Sequence, residues 1–191
     1  MNLDGPAILA TLRRHEVDYV LIGGFAAVAH GSPILTNDVD VTPRREHDNL
    51  ARLSAALTEL DARVRAEGVD PLPFRHDADS LGRANIWNLT TRHGDLDITF
   101  TPSGTSGYDD LVRDAVEIQL RGTPVLLASL ADIVRTKDAA GLCRSCGSSS
   151  PARPAPTHSV QTARNLECQP GHQQLGRSVG RPPHRGAKHF R

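Results

Sequence analysis

No apolar stretch in this chain approaches the length of a membrane-spanning helix. The longest, such as Val17 to Ile22 and Val125 to Leu130, fall far short of the ~20 residues that a bilayer requires. The start lacks a basic-then-apolar segment with a small-residue cleavage site, so secretion is not expected and the cytoplasm is the default location. Cysteine is missing from residues 1–140, which excludes any dependence on disulfides there; Cys143, Cys146 and Cys168 all come later. Net charge is missing too, with 22 basic and 22 acidic residues in 191. That zero averages two unlike regions. Residues 141–191 hold eight Lys and Arg against one acid, Glu167, for about +7; this leaves 14 basic and 21 acidic residues in 1–140, about −7. The asymmetry marks a compositional boundary, and the length suits one domain with an appendage.

What is present before that boundary is alternating helix and strand. Asp4 and Pro6 ahead of Ile8, Leu9 and Leu12 read as a first helix with an acidic start. Val17 to Ile22 reads as a buried strand that enters a tight turn at Gly23-Gly24, and Phe25 to His30 as a short helix closed by Gly31. From Asn37 to Thr42 the residues alternate, with Asp38, Asp40 and Thr42 on one face and Val39 and Val41 on the other. Leu50, Leu53, Leu57 and Leu60 recur at helical spacing and predict a core-facing helix from about Arg44 to Leu60.

Residues 61–84 give no clear period, and Pro71 and Pro73 argue for a loop or a sheet edge. Two strands, Ile86 to Thr90 and Gly94 to Phe100, follow around a polar turn; the second alternates Asp95, Asp97 and Thr99 against Leu96, Ile98 and Phe100. Val116, Ile118 and Leu120 alternate as well, and Arg121-Gly122 turns the chain into Val125 to Leu127. A last helix begins near Ser129, with Asp132 as its capping-box partner. The fold class is α/β or α+β, a small mixed β-sheet with helices packed against it.

The chemistry gathers around Ile22-Gly23-Gly24, a spacer of thirteen residues, and Asp38-Val39-Asp40-Val41. Carboxylates two apart on a strand point the same way. Such close like charges repel unless one protonates or a cation sits between them. Magnesium takes oxygen ligands, commonly one or two carboxylates plus substrate phosphates, and paired ions recur in phosphoryl-group displacement. The glycines add backbone N–H groups at a helix start, where a phosphate is welcome and a side chain would intrude. The bland alternative is a solvated strand edge behind a structural turn.

This constellation resembles the nucleotidyltransferase superfamily, whose signature is an apolar residue, Gly-Gly or Gly-Ser, a spacer and Asp-x-Asp. The wider stretch GGFAAVAHGSPILTNDVDV is similar to the toxin branch, the AbiEii and MenT-like toxins of bacterial toxin–antitoxin pairs, and the likeness covers roughly residues 5–140. It implies the nucleotidyltransferase fold, an NTP substrate and Mg2+, one ion or two, held by Asp38 and Asp40, with a third carboxylate on a later strand that completes the metal site or acts as base toward the attacking hydroxyl. Asp97, flanked by Leu96 and Ile98, fits that place best, with Asp95 as the fallback. Gly23, Gly24 and Lys137 would hold the phosphates. Lys137 continues the row Leu130, Ile133, Val134, and the toxin family has a lysine at the matching place in Asp-Ile-Val-Arg-Thr-Lys; snorkelling past the helix end is the alternative. Arg135 and Asp138 fall off that row and read as surface. Ser32 and Thr36 could touch phosphate, His30 reads as a helix cap, and Arg44 and Arg45 could meet an RNA backbone or simply open a solvated helix.

The resemblance further implies transfer of a nucleotide to the 3′ end of tRNA, which blocks aminoacylation, with a cognate antitoxin as partner. The competing expectations are a nucleotidyltransferase acting on a small molecule or a protein hydroxyl, and a degenerate domain that only binds. Beyond Ala140 the periodicity stops, and a composition rich in Pro, Gly, Ser, Arg and His predicts disorder over 141–191. Cys143, Cys146, Cys168 and His172 have the ligand types of a zinc site, and the basic stretch could instead be a nucleic-acid arm. Relatives continue from this point with Arg-Pro-Lys-Asp and another helix, absent here, so the change at Gly141 also reads as a shifted reading frame.

Overall fold

The computed structural model describes residues 3–141, which form six helices and eight strands. Residues 142–191 lie outside the described residues, and with them the zinc, basic-arm and reading-frame expectations. In α1 (Gly5–Arg14) the Asp4 carboxylate accepts from the Ala7 N–H at 3.2 Å, while Ile8, Leu9 and Leu12 are fully buried. β1 (Tyr19–Ile22) is buried at every position. It runs directly into α2 (Gly23–Ala29), so the expected glycine turn is itself the first turn of that helix.

β2 (Asp38–Pro43) returns antiparallel to β1, with Ile22 opposite Asp40. α3 (His47–Glu59) buries Leu50, Leu53 and Leu57 as their spacing predicts. Its Asn49 is also buried and ties the two strands together. The amide side chain accepts from the Asp18 N–H at 2.8 Å and donates to the carbonyls of Asp18 and Arg44 at 2.9 and 2.8 Å.

The stretch without a clear period holds more regular structure than expected: β3 (Arg63–Ala66), β4 (Val69–Pro73) and α4 (Ala78–Arg83). β4 is the exposed edge of the sheet, which is where strand prolines are tolerated. β5 (Ile86–Thr91) and β6 (Gly94–Thr99) then form an antiparallel pair. A short α5 (Tyr108–Leu111), for which the sequence carries no clear signal, precedes the hairpin of β7 (Val116–Leu120) and β8 (Thr123–Leu127). Arg121 and Gly122 both have positive φ in its two-residue turn, as a hairpin twisted in the right sense requires. α6 (Leu130–Ala139) is capped by Ser129, whose hydroxyl accepts from the Asp132 N–H and donates to the Asp132 carboxylate. The expected reciprocal box therefore closes through the two side chains.

The strands form one mixed sheet in the order β4-β3-β5-β6-β2-β1-β8-β7. β2 and β6 run parallel, as do β1 and β8, and the other neighbours are antiparallel. The sheet is wider than the small one anticipated because β3 and β4 extend it. Period-two patterning gives its centre two unlike faces. Val39, Val41, Leu89, Leu96 and Ile98 are fully buried, while Asp38, Asp40, Asp95 and Asp97 occupy the opposite, half-open face. Among the described residues no helix is long and apolar enough to cross a membrane.

Candidate active site

The parallel register of β2 and β6 sets Asp38 opposite Asp95 and Asp40 opposite Asp97. Four carboxylates thus share one face of two neighbouring strands. Asp38, Asp40 and Asp97 converge further, each offering an oxygen so that all three lie within 4.8 Å of one another. Of the two acids expected on β6, Asp97 is the one whose oxygen joins this group. Asp95 turns aside, accepting from Thr90 Oγ1 at 2.8 Å.

The cluster is electrostatically stressed. Burial, and then the charges of Asp38 and Asp97, push Asp40 up from its ordinary 3.8 to about 7; a hydrogen bond from the Gly24 backbone N–H and the charge of Arg65 work against this rise. Asp97 is also raised, chiefly by burial, while the Arg65 guanidinium opposes the shift. Three convergent carboxylate oxygens suit a hard divalent cation, whose charge would offset the burial and like charge that raise Asp40 and Asp97. The donor set therefore fits Mg2+.

Gly23 and Gly24 are shaped by these acids. Gly23 has φ +67°, and a Cβ on it would collide with the Asp40 carboxylate; a Cβ on Gly24 would lie 2.6 Å from Thr36 Oγ1. The Thr36 hydroxyl in turn donates to Asp38 Oδ1 at 2.7 Å. The signature glycines thus let α2 press against the acid-bearing strand. The Gly24 N–H, expected to face phosphate, is directed at Asp40.

Other anticipated residues are placed elsewhere. Ser32 accepts from the Ile34 N–H at 3.3 Å in a local turn. His30 ends α2, as read, and its ring also meets the Ala128 carbonyl at 2.9 Å. Arg44 stacks over Tyr108 and pairs with Glu46 and Asp109, and Arg45 lies over Phe100, so both are engaged within the chain. Lys137 does not reach inward. α6 buries Asp132 and Ile133 and leaves Leu130, Val134 and Lys137 exposed, so of the anticipated row only Ile133 faces the core. Among the described residues Lys137 forms no ion pair, whereas Arg135, also exposed, binds Asp110 and Asp132.

One site residue had no sequence signal. Arg65, from β3, reaches Asp97 Oδ1 with Nη2 at 2.6 Å and Asp95 Oδ2 with Nη1 at 3.2 Å. It lies in the stretch without a clear period, two strands away from the acids. Only the β3–β5–β6 pairing reveals the contact.

No protein-family profile matches the chain, and no curated protein matches it in sequence. Solved structures do. TM1012 from Thermotoga maritima, assigned as a nucleotidyltransferase, superposes with a TM-score of 0.50 at 14% identity, over 71% of this chain and 81% of that one. The antibiotic-resistance factor ANT(2'')-Ia in solution gives 0.42 at 18% identity, over 66% of this chain and 64% of that one. Its crystal structure with adenylyl-2''-tobramycin gives 0.39 at 18% identity, over 64% and 65%. With its acids on adjacent strands and this likeness to TM1012, the chain has the nucleotidyltransferase fold.

Proposed function

We propose that this chain is a metal-dependent nucleotidyltransferase. The observation that carries the reading is the convergence of Asp38, Asp40 and Asp97 behind a glycine turn that is sterically fitted to them. In this reading the three carboxylates hold Mg2+, which when bound neutralises triphosphate charge and makes the acceptor hydroxyl easier to deprotonate. The acceptor oxygen forms a new bond to the α-phosphorus of an NTP as the bond from that phosphorus to the bridging oxygen breaks. Pyrophosphate leaves with the electron pair, and the hydroxyl proton passes to a nearby base.

The residues of the chain supply position and charge. Thr36 fixes the Asp38 carboxylate and Gly24 steadies that of Asp40. Asp97, whose affinity for a proton is raised, serves in this reading as the third ligand or as the proton acceptor. Gly23 and Gly24, assigned to the phosphates by the resemblance, also leave the room that Asp40 and Thr36 occupy against α2. Lys137, exposed in the last turn of α6, is assigned to the triphosphate on the strength of the toxin-branch resemblance.

That same resemblance supplies the acceptor we propose, the 3′ end of tRNA, and the consequence, a block on aminoacylation countered by a cognate antitoxin. The acidic stretch 1–140 does not itself favour RNA, but the surplus of basic residues in 141–191 has the sign that phosphate backbones attract. The test is transfer of each labelled nucleoside triphosphate to total tRNA with Mg2+. Label on tRNA that disappears in an Asp38→Ala, Asp40→Ala protein supports the whole reading. With the label in the nucleoside or α-phosphate, unlabelled pyrophosphate released without label on RNA keeps the enzyme and overturns the acceptor. No turnover with any acceptor, from protein that binds metal, overturns the enzyme.

A further inference from the structure

We propose that Arg65 is a resident counterion of the acid cluster, one that competes with a divalent cation for Asp97. The inference rests on the reading of Asp38, Asp40 and Asp97 as a metal site. Its own support is the path by which Arg65 arrives there. β3 pairs with β5 through Arg63 opposite Thr90 and Val64 opposite Leu89, while its pairing with β4 shifts register between Val64 and Ala66. Arg65 occupies that irregularity, the kind of local kink that re-aims a side chain. The guanidinium crosses β5 and lands between Asp95 and Asp97 on β6, at 3.2 and 2.6 Å.

Among the described residues no other basic side chain pairs with Asp38, Asp40, Asp95 or Asp97. One positive charge therefore serves a group of four carboxylates. The 2.6 Å contact to Asp97 is a charge-assisted bond to the same side chain that completes the metal cluster. An arginine cannot lose its charge to make room. A divalent ion ligated by Asp97 must accept a neighbouring positive charge or displace it. The bridge thus holds the crowded acids together when no ion is bound and weakens the first ion that enters. A nucleotide, bringing several negative charges, would offer the released guanidinium another partner.

The experiment is Mn2+ titration of the full chain without nucleotide, followed by electron paramagnetic resonance, for wild type, Arg65→Met, Arg65→Lys and Asp40→Asn. The Arg65→Met protein should bind the first Mn2+ about tenfold more tightly than wild type. Arg65→Lys, which keeps a charge but not the fork that spans two carboxylates, should fall between them and serves if the Met variant fails to fold. Unchanged or weaker binding in folded Arg65 variants overturns the proposal and makes Arg65 a holder of Asp97 alone. Asp40→Asn keeps the two failures apart. If it binds Mn2+ as wild type does, the metal reading itself falls; if it loses Mn2+ while the Arg65 variants match wild type, only the counterion role falls.

Discussion

Asp40 is the residue at which function and stability pull in opposite directions. Its native proton affinity, near pH 7, exceeds the ordinary 3.8 of the unfolded chain. The folded protein therefore holds a proton that the unfolded chain has released over roughly pH 4 to 7, and stability falls as pH rises through that window. Above it both states are ionised and the full penalty, on the order of a few kcal/mol, remains. Asp40→Asn in a chelator-containing buffer should accordingly melt at a higher temperature than wild type at pH 8, and at nearly the same temperature at pH 4. Mn2+ at pH 8 should raise the melting temperature of wild type and leave the variant unmoved. Gly23 makes the complementary case. Alanine there must take a left-handed backbone and collide with Asp40, so Gly23→Ala should cost roughly 2–4 kcal/mol in urea unfolding. It should also weaken Mn2+ binding in whatever fraction folds.

At the scale of elements, the site is a matter of register. A one-residue slip of β2 against β6 would send Val39 and Val41 to the open face and the two acids into the core. That register is guarded from both sides. Buried Leu96 and Ile98 oppose Val39 and Val41, and Asn49 of α3 clamps the entry to β1 and the exit from β2. Replacing Asn49 by Leu would leave the Asp18 N–H and the Arg44 carbonyl without their side-chain partner, while the Asp18 carbonyl keeps the Arg44 N–H at 2.9 Å, which predicts a loss of about 2–3 kcal/mol. Because the clamp lies at the far end of the strands from Asp40, the variant that still folds should keep its Mn2+ affinity. Stability and metal titrations on the same sample check both halves.

For the whole molecule, the sheet order places β2 at the centre between β1, its partner in the signature, and β6, brought in from a distant stretch of the chain. The buried apolar cluster among the described residues runs from Ile8 to Ile133. A chain ended after Gly141 should therefore unfold cooperatively, with a melting temperature within a few degrees of the full chain. A large drop, or loss of the cooperative transition, would show that residues beyond 141 complete the core.

Much of this was legible in the sequence because it is local. Period-two alternation put Asp38 and Asp40 on one face, leucine spacing fixed the buried side of α3, and Arg121-Gly122 announced a hairpin. Gly-Gly ahead of Asp-x-Asp was enough to identify the strand–helix–strand unit. The remainder depended on which strands become neighbours. Periodicity put Asp95 and Asp97 on one face, the flanking Leu96 and Ile98 favoured Asp97, and only the fold shows that Asp97 meets Asp38 and Asp40 while Asp95 accepts from Thr90. The sequence placed Lys137 on an inward row, but α6 turns Asp132 and Ile133 to the core and leaves Leu130, Val134 and Lys137 exposed. Arg65 had no signal at all, since its role exists only once β3 and β5 are stacked beside β6. Short-range pattern determines what each element is; long-range pairing, invisible in a single chain read residue by residue, decides which charges meet.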